Sequence, residues 1–509
     1  MIFFYHNGTE TTQILDEHGK ELPLTREKSI SFQFFLIASQ YPDKTIFWLD
    51  ESLKTQEKII REKLLKTFTR NTIICSLGNI KNHFLYPEIG YVTDSPFAAI
   101  STNNIYPTWL MLGTAGIVHT SIINKFDRRD YQNTSLEFTL TSVAKIAQEK
   151  GLFCYHVPDD ILTEPASKKC QNEFFDFVVQ HYKRVWSFIA LVLISKYNGV
   201  FPIIAFAKAQ LKSKLKTGKT LNFQHRTKFS NYHLNYDVVI PTMGRKEYLK
   251  DVLLDLSNQS ILPEKVIIVE QDLSLQGMSE LDYISKQSWP YKIDHIIINK
   301  VGACNARNIA LEKVSSDWIL LFDDDVHINP DFINGAIKAI EDTNGLAFTF
   351  ACLQKGEQED RMWYLQWGNF GSGCSLVHKN IARNLRFDKT LEYGYGEDSD
   401  YGMQIRNGGF DIIYVPKVQI QHFKAPTGGF RLISKFPWSL ELIQPKPSPF
   451  IMYQRKKNYT VEQLRGYKLV LFLKFYKTYG FKNPYTYYRY FKKAWKISEK
   501  WSEKLPLHG

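Results

Sequence analysis

The sequence has few cysteines, and none is arranged for structure. The six, Cys75, Cys154, Cys170, Cys304, Cys352 and Cys374, include no CxxC pair and no spacing suited to a zinc knuckle. That excludes a small zinc module and a disulfide framework, and it fits scattered reduced thiols in a cytosolic protein. The opening stretch "MIFFYHNGTE" has neither a basic leader nor a long apolar run, so no secretion signal is expected. An unbroken apolar run of about 20 residues, the length a membrane-crossing helix needs, is also missing. The most apolar stretch, residues 185–209, is interrupted by Lys196, Asn198 and Gly199 and predicts a buried or interfacial helical hairpin, with a marginal membrane span as the alternative.

What is present is globular. The 509 residues are 44% hydrophobic and 14% aromatic, enough for two or three domains with sizeable cores. A net charge of +12 admits nucleic acid, acidic lipid or anionic small-molecule partners. The basic residues gather in residues 208–231 and in the C-terminal tail, away from the motifs described next, so nucleic acid is not an expected partner. Composition shifts divide the chain into an N-terminal α/β domain (1–184), an apolar helical segment with a basic linker (185–235), a second α/β domain (236–436) and a basic, amphipathic helical region (437–509).

From Tyr236 onward strands and helices alternate. "YDVVIP", "KVIIVEQD", "DHIIIN" and "DWILLF" read as strands, and "KEYLKDVLLDLSNQ" and "ACNARNIALEKV" as helices. This pattern predicts a mainly parallel sheet with helices on its faces. Ligands of such sheets bind beyond the carboxyl ends of the strands. Thr242 and Arg245, Glu270 to Asp272, and the run Asp323, Asp324, Asp325 all stand there. Three adjacent carboxylates repel one another, and a divalent cation resolves the conflict. In an extended segment Asp323 and Asp325 point the same way. Mg²⁺ and Mn²⁺ take carboxylate oxygens together with substrate phosphates. The alternative is a solvated acidic loop or a helix start capped by Asp325 or Asn329. Position after a buried strand of an α/β domain favours the cation.

Seven motifs follow in order over the same region: "VVIPTMGRKEYL", "VIIVEQD", "GACNARNIAL", "LLFDDDV", "GSGCSLVHK", "GEDSDYGMQIRNGGFDIIYVP" and "VQIQHF". Together they make residues 236–431 resemble a family 2 glycosyltransferase with the GT-A fold. The resemblance implies inverting, metal-dependent transfer of a sugar from a nucleotide diphosphate sugar to a glycan or lipid-linked acceptor, in cell-surface polysaccharide or glycoconjugate synthesis. It implies donor contacts from Pro241, Thr242, Arg245, Glu270, Asn305, Arg307, Asp323 and Asp324. Glu270 stands where many relatives carry aspartate. It implies Mn²⁺ or Mg²⁺ at Asp323, Asp325 and His422, although a lone histidine is equally a structural residue. It also implies an acceptor side at Gly371, Ser372 and Gly373.

Departure of a nucleoside diphosphate develops negative charge, which a cation held at the aspartates would neutralise. The acceptor hydroxyl must lose its proton as it attacks, which needs a base. Asp398 is the candidate and Glu397 the second choice, with Asp400 near enough for like charges to raise a carboxyl's pKa. The alternative is a helix start capped by Asp398 or Ser399. Arg307 and Arg406 are candidate diphosphate partners, although Arg406 also suits a solvated helix face. Trp363, Tyr364 and Trp367 offer ring faces suited to an acceptor sugar or to an ordinary core, and "LQKGEQEDR" before them reads as a lid.

The first half holds a faint echo of the second. "GTAGIVHTSIINKFD" and "GLFCYHVPDD" parallel "SGCSLVHKNIARNLRFD" and "GFDIIYVP". This suggests a degenerate GT-A-like unit with poor active-site positions. Asp50 and Glu51 follow an apolar run, and Glu137 is the sole candidate near the Glu397–Asp398 position. One active site is therefore expected, with the first half a docking or acceptor-binding module. A polymerase with two active domains and a non-catalytic nucleotide- or carbohydrate-binding protein are the alternatives. A nucleotidyltransferase would want a GxGTR-type loop where "PTMGRKEYL" stands. The tail interleaves lysine with aromatics, with Tyr488, Phe491, Trp495 and Trp501 near one helical face, and predicts peripheral attachment to an anionic membrane surface from the cytoplasmic side.

Overall fold

The apolar runs of both halves become sheet strands in the computed structural model, which describes residues 1–25, 29–159, 170–215, 221–225, 232–272, 279–426 and 436–505. Parts of the expected linker (216–220 and 226–231) and the end of the glycosyltransferase-like segment (427–431) lie outside the described residues. The chain divides into two units, one of residues 1–224 with 459–475, the other of residues 225–458 with 476–509.

The first unit holds β1 (Ile2–His6), β2 (Thr11–Leu15), β3 (Thr45–Asp50), β4 (Ile73–Gly78), β5 (Tyr106–Pro107), β6 (Ala115–His119) and β7 (Phe153–Pro158). They form one sheet in the order β2-β1-β3-β6-β4-β7-β5. Its helices are α1 (Ile30–Gln40), α2 (Glu57–Thr67), α3 (Thr120–Ile123), α4 (Leu136–Gln148), α5 (Gln171–His181), α6 (Arg184–Asn198) and α7 (Ile203–Ala209). The period of two explains why β3 is apolar throughout. Ile46 and Trp48 enter one core with Phe34, while Phe47 and Leu49 enter another with Ile60 and Leu64 of α2. The residues that interrupt the 185–209 run become a turn. Gly199 ends α6 in the left-handed conformation (φ +70°), which suits glycine, and α7 follows.

The second unit holds β8 (Tyr236–Thr242), β9 (Lys265–Gln271), β10 (Lys292–Ile298), β11 (Trp318–Phe322), β12 (Val326–Ile328), β13 (Ala347–Leu353), β14 (Leu365–Gln366), β15 (Cys374–His378) and β16 (Ile413–His422). The sheet order is β10-β9-β8-β11-β15-β13-β16-β12, with β14 also pairing β16. Helices α8 (Lys246–Ser257), α9 (Tyr283–Lys286), α10 (Ala303–Leu311), α11 (Phe332–Thr343), α12 (Lys379–Ala382), α13 (Glu397–Asn407) and α14 (Pro449–Asn458) follow. Next come α15 (Val461–Thr478), most of which counts with the first unit, and α16 (Pro484–Lys504). Asn483 caps α16 and Pro484 opens it. On the stripe seen in the sequence, Phe491 and Trp495 are buried and Tyr488 is exposed. Arg489, Lys492, Lys493 and Lys496 also face solvent.

The echo in the sequence is a register. One row of the first sheet runs Phe47, Ile117, Cys75, Tyr155, Pro107 across β3, β6, β4, β7 and β5. The second runs Leu320, Leu376, Phe348, Ile413, Gln366 across β11, β15, β13, β16 and β14. The pairings are antiparallel, antiparallel, parallel and antiparallel in both. After β6, the His119 side chain accepts from the Ser121 N–H; after β15, His378 accepts from Asn380. Over these five strands the first sheet repeats the pairing order and directions of the second. The two sheets part company at one edge. β8 leads through α8 into parallel β9, whereas β1 turns straight back into antiparallel β2. There the Asn7 side chain accepts from the N–H groups of Thr9 and Glu10, closing a reverse turn.

Candidate active site

Beyond β11 the three aspartates take three different environments. The Asp323 N–H bonds the Gly373 carbonyl, and its carboxylate accepts from Arg307 at 3.0 Å. A Cβ at residue 373 would stand 2.0 Å from an Asp323 carboxylate oxygen, so any side chain there would displace that carboxylate. Asp324 is buried and accepts from the Thr242 hydroxyl at 2.7 Å and Arg245 at 2.6 Å. It ties the aspartate turn to the turn after β8. Burial pushes its carboxyl up to about 6 against the pull of Arg245. Asp325 receives His422 Nε2 at 3.1 Å and the Ala425 N–H at 2.8 Å, with Arg245 at 3.3 Å. Burial works against its ionisation, but these donors outweigh it and hold the carboxyl below its ordinary value. The hydrogen bond to Asp325 in turn raises the His422 imidazole. Neither Asp325 nor Asn329 caps α11, whose N-terminal cap position is Asp331.

Asp323, Asp325 and His422 offer ligand atoms that all lie within 4.8 Å of one another. Two carboxylates and an imidazole are a donor set that fits Mn²⁺ or Mg²⁺.

The segment before β15 joins this cluster to α13. The Ser372 N–H donates to Asp398 Oδ1 at 3.3 Å. Asp398 lies inside the first turn of α13, whose cap position is Gly396 (φ +115°), so the capping alternative does not hold. Asp398 is raised first by burial, opposed by Arg307, with the Asp323 charge adding to the rise. Glu397 is raised by burial and by Asp398. The expected influence of Asp400 is corrected here. Its wholly buried carboxylate turns to α14 and meets Lys457 at 3.0 Å and the Asn458 amide at 2.8 Å. Arg307 is the buried cation between the two acidic groups. Arg406 is neither a diphosphate partner nor a solvated residue: it is fully buried and donates to the Trp367 carbonyl.

The remaining expected residues sit around this centre. Pro241 and Thr242 close β8, and Thr242 pairs in register with Glu270. Glu270 accepts from Ser279, the Glu280 N–H and His295. Burial disfavours its charge, but these donors hold it below its ordinary value. Asn305 stands in the first turn of α10. Trp367 stacks on Tyr414 at 4.4 Å, and Trp363 packs on the same apolar cluster. The expected lid is pinned by Glu359, which accepts from the Tyr414 hydroxyl and pairs with Arg361.

Two residues escaped the sequence reading. Glu392 accepts from the N–H groups of Cys304 and Asn305, capping α10 from a distant segment. A Cβ at Gly302 would stand 2.4 Å from its carboxyl carbon. Gln271 accepts from the Gly302 N–H at 2.6 Å. Gln271 lies within "VIIVEQD", but neither contact has a local signature: a tertiary cap shows no spacing along the chain.

Residues 237–400 match the family described as "Glycosyl transferase family 2". The poly(ribitol-phosphate) beta-N-acetylglucosaminyltransferase TarS of Staphylococcus aureus (strain Mu50 / ATCC 700699) is 23% identical over 110 residues, which span 21% of this chain and only 19% of that protein. The crystal structure of S. aureus TarS in complex with UDP-GlcNAc aligns at 14% identity and TM-score 0.33, over 46% of this chain and 70% of that one. The mannosyltransferase PcManGT from Pyrobaculum calidifontis, in complex with GDP-Man and Mn²⁺, aligns at 13% and 0.32, over 54% and 85%. The segment similar to family 2 glycosyltransferases, residues 237–400, lies within the second unit.

Proposed function

We propose that the second unit transfers a sugar, with inversion, from a nucleotide diphosphate sugar to a hydroxyl of a glycan or lipid-linked acceptor. The observation that carries this reading is the gathering of Asp323, Asp325 and His422 at the end of β11, with the buried Asp398 linked to them through Ser372, Gly373 and Arg307. A divalent ion held by those three residues would supply Lewis-acid neutralisation of the departing diphosphate. Arg245 and Arg307 set fixed positive charge beside the same carboxylates. Asp398 is placed to take the acceptor proton, and its raised pKa suits a base. The acceptor oxygen bonds to the anomeric carbon as the carbon–oxygen bond to the diphosphate breaks, the electron pair leaving with the diphosphate and the proton passing to Asp398.

The first unit supports a single-site reading over the two-domain polymerase. Asp50, Glu51 and Ser52 stand at the register positions of Asp323, Asp324 and Asp325, and Asp50 is spent on its neighbour, accepting from the Ser52 N–H and hydroxyl. Glu137 stands opposite Asp398 and accepts from the N–H groups of Gly113 and Phe84. A docking or acceptor-binding role fits a copy whose nucleotide-side edge is a hairpin. The exposed basic face of α16 supports contact with an anionic surface chiefly by charge, since Phe491 and Trp495 are buried and Tyr488 stays exposed.

The test is donor consumption across a panel of nucleotide sugars with Mn²⁺ or Mg²⁺. One donor should turn over, with activity lost on chelation and in Asp398→Asn. A folded protein that consumes none of them in either metal would sink this reading.

A further inference from the structure

The α6–α7 hairpin of the first unit carries an apolar surface that its own fold leaves uncovered. Helix α6 buries Ile189, Ala190, Leu193 and Ile194, while Val185, Phe188 and Val192 face solvent. Spacings of three and four put those three on one stripe. The turn and α7 extend it with Phe201, Ile203 and Ile204, and Phe188, Phe201 and Ile204 are 56%, 66% and 69% exposed. Ala205 and Ala209 face inward instead. Isolated exposed apolar residues mean little, but a contiguous set on one hairpin marks an interaction surface.

Charge identifies the partner. Between Asp176 and Asp237 the sequence has no aspartate or glutamate. The same stretch carries Lys183, Arg184, Lys196, Lys208, Lys212 and Lys214, all exposed, with Lys212 also 3.6 Å from Asp176. Arg184 and Lys196 bracket the α6 stripe at its two ends, where long cationic side chains reach from an apolar layer into headgroups. A protein partner or a second copy of this chain would call for a rim of both signs. A mainly cationic rim around an apolar stripe, with Glu88 bonded to Asn198 and Asp176 beside Lys212 as its acidic neighbours, fits anionic lipid. At 1.5 Å per residue the 15-residue α6 is roughly 22 Å long, short of the roughly 30 Å hydrocarbon core. No helix among the described residues is long and apolar enough to cross a membrane.

We propose that this hairpin docks the protein on an anionic bilayer, lying in the headgroup interface with Phe188, Phe201 and Ile204 inserted and the flanking lysines on the phosphates. The inference is independent of the sugar-transfer reading and of the α16 face.

The test is flotation of the full-length chain with vesicles of phosphatidylcholine alone or mixed with phosphatidylglycerol. Wild type should partition at least about 10-fold better to the anionic vesicles, and less so in high salt. Phe188→Ser with Phe201→Ser and Ile204→Ser should lower partitioning about 10-fold or more, with unchanged circular dichroism and donor consumption, because all three side chains are exposed. Lys208→Glu with Lys214→Glu should weaken binding and flatten its salt dependence, whereas Lys492→Glu with Lys493→Glu on α16 should leave most of it. Three results would overturn the proposal: wild type that fails to float with either vesicle, a triple variant that floats like wild type, or a wild-type dimer in light scattering that the triple variant dissolves without any vesicle binding.

Discussion

At the position one register step beyond the second aspartate, the second unit has Asp325 and the first has Ser52. The rows leading up to that point superpose strand for strand, and even the backbone bond survives: the Asp323 N–H reaches the Gly373 carbonyl, and the Asp50 N–H reaches the Thr114 carbonyl. What differs is where the side chains go. In the second unit Asp323 looks across Gly373 towards Arg307, and Asp325 meets His422. In the first, Asp50 folds back onto Ser52, and a threonine stands where the second unit needs a glycine. Register depends on apolar alternation and is held by the whole core, whereas a site depends on a few side chains beyond the strand ends. A sheet can therefore outlast its chemistry.

The largest effect expected from this contrast is at the cluster of Asp323, Asp325 and His422. Asp325→Ala should abolish Mn²⁺- or Mg²⁺-dependent donor binding and turnover with the fold intact. Ser52→Asp should create no second metal site, because its turn is part of a capped helical start and not a cluster. Titration calorimetry of the nucleotide diphosphate with metal checks both. Unchanged binding in Asp325→Ala would remove the metal assignment.

Next in size is the base. Asp398→Asn should cut turnover roughly 10²- to 10⁴-fold, the scale of general-base loss, with donor affinity nearly unchanged. Glu137→Gln at the matching place should leave turnover alone. Because burial raises Asp398 and Glu397, the acid limb of wild-type turnover should lie above the ordinary carboxylate range, the rate falling as pH drops through it. Normal turnover in Asp398→Asn would take the residue out of the mechanism.

Much of this was legible in the residues. The DDD run, the ED pair and the late histidine each sit next to an apolar strand or a helix start, so their spacing carried the information. The matching Val-His and Val-Pro pairs announced the second sheet. What stayed hidden was tertiary. Nothing local says that Glu392 caps α10, that Asp400 turns away to Lys457, or that Arg406 is wholly buried. The stacking of Trp367 on Tyr414 likewise follows from which strands pair, and its ring suited an acceptor or a core equally well until that pairing was known.

Glycine 373 sharpens the contrast at a smaller scale. Gly373→Ala places a methyl group against the Asp323 carboxylate and should weaken metal-dependent donor binding roughly 10- to 10²-fold, as a displaced ligand does. Thr114→Gly in the first unit should leave donor binding as it was. Equal donor affinity in Gly373→Ala and wild type would show that Asp323 is not held where the site needs it.

A further step down is the pH dependence of metal loading. The Asp325 hydrogen bond raises His422, so its imidazole holds a proton to higher pH than a free histidine. A metal ligand must be neutral, so loading displaces that proton. Apparent Mn²⁺ affinity should fall by up to about tenfold per pH unit below the raised pKa and level off above it. Affinity flat from about pH 5.5 to 8, across the ordinary histidine range, would exclude His422 as a ligand.

The smallest expected effect is the most direct test of the comparison, because it strikes the register position of Asp323 in the first unit. Asp50 Oδ1 accepts from the Ser52 N–H at 3.0 Å and the Ser52 hydroxyl at 2.6 Å, and so begins the short 3₁₀ turn of residues Glu51–Gln56. This is an N-terminal cap. Asp50→Ala should cost about 1 kcal/mol of stability, the usual size of a lost N-cap, read as a shift of the denaturation midpoint. Adding Glu51→Ala should change little further, and sugar transfer by the full chain should stay at the wild-type rate. The two terms separate cleanly, since a cap moves stability without moving turnover and a catalytic carboxylate does the reverse. A folded Asp50→Ala protein that lost one of two sugar-transfer activities would make the first unit an enzyme in its own right, and the hairpin that replaces its nucleotide-side edge would then need another role.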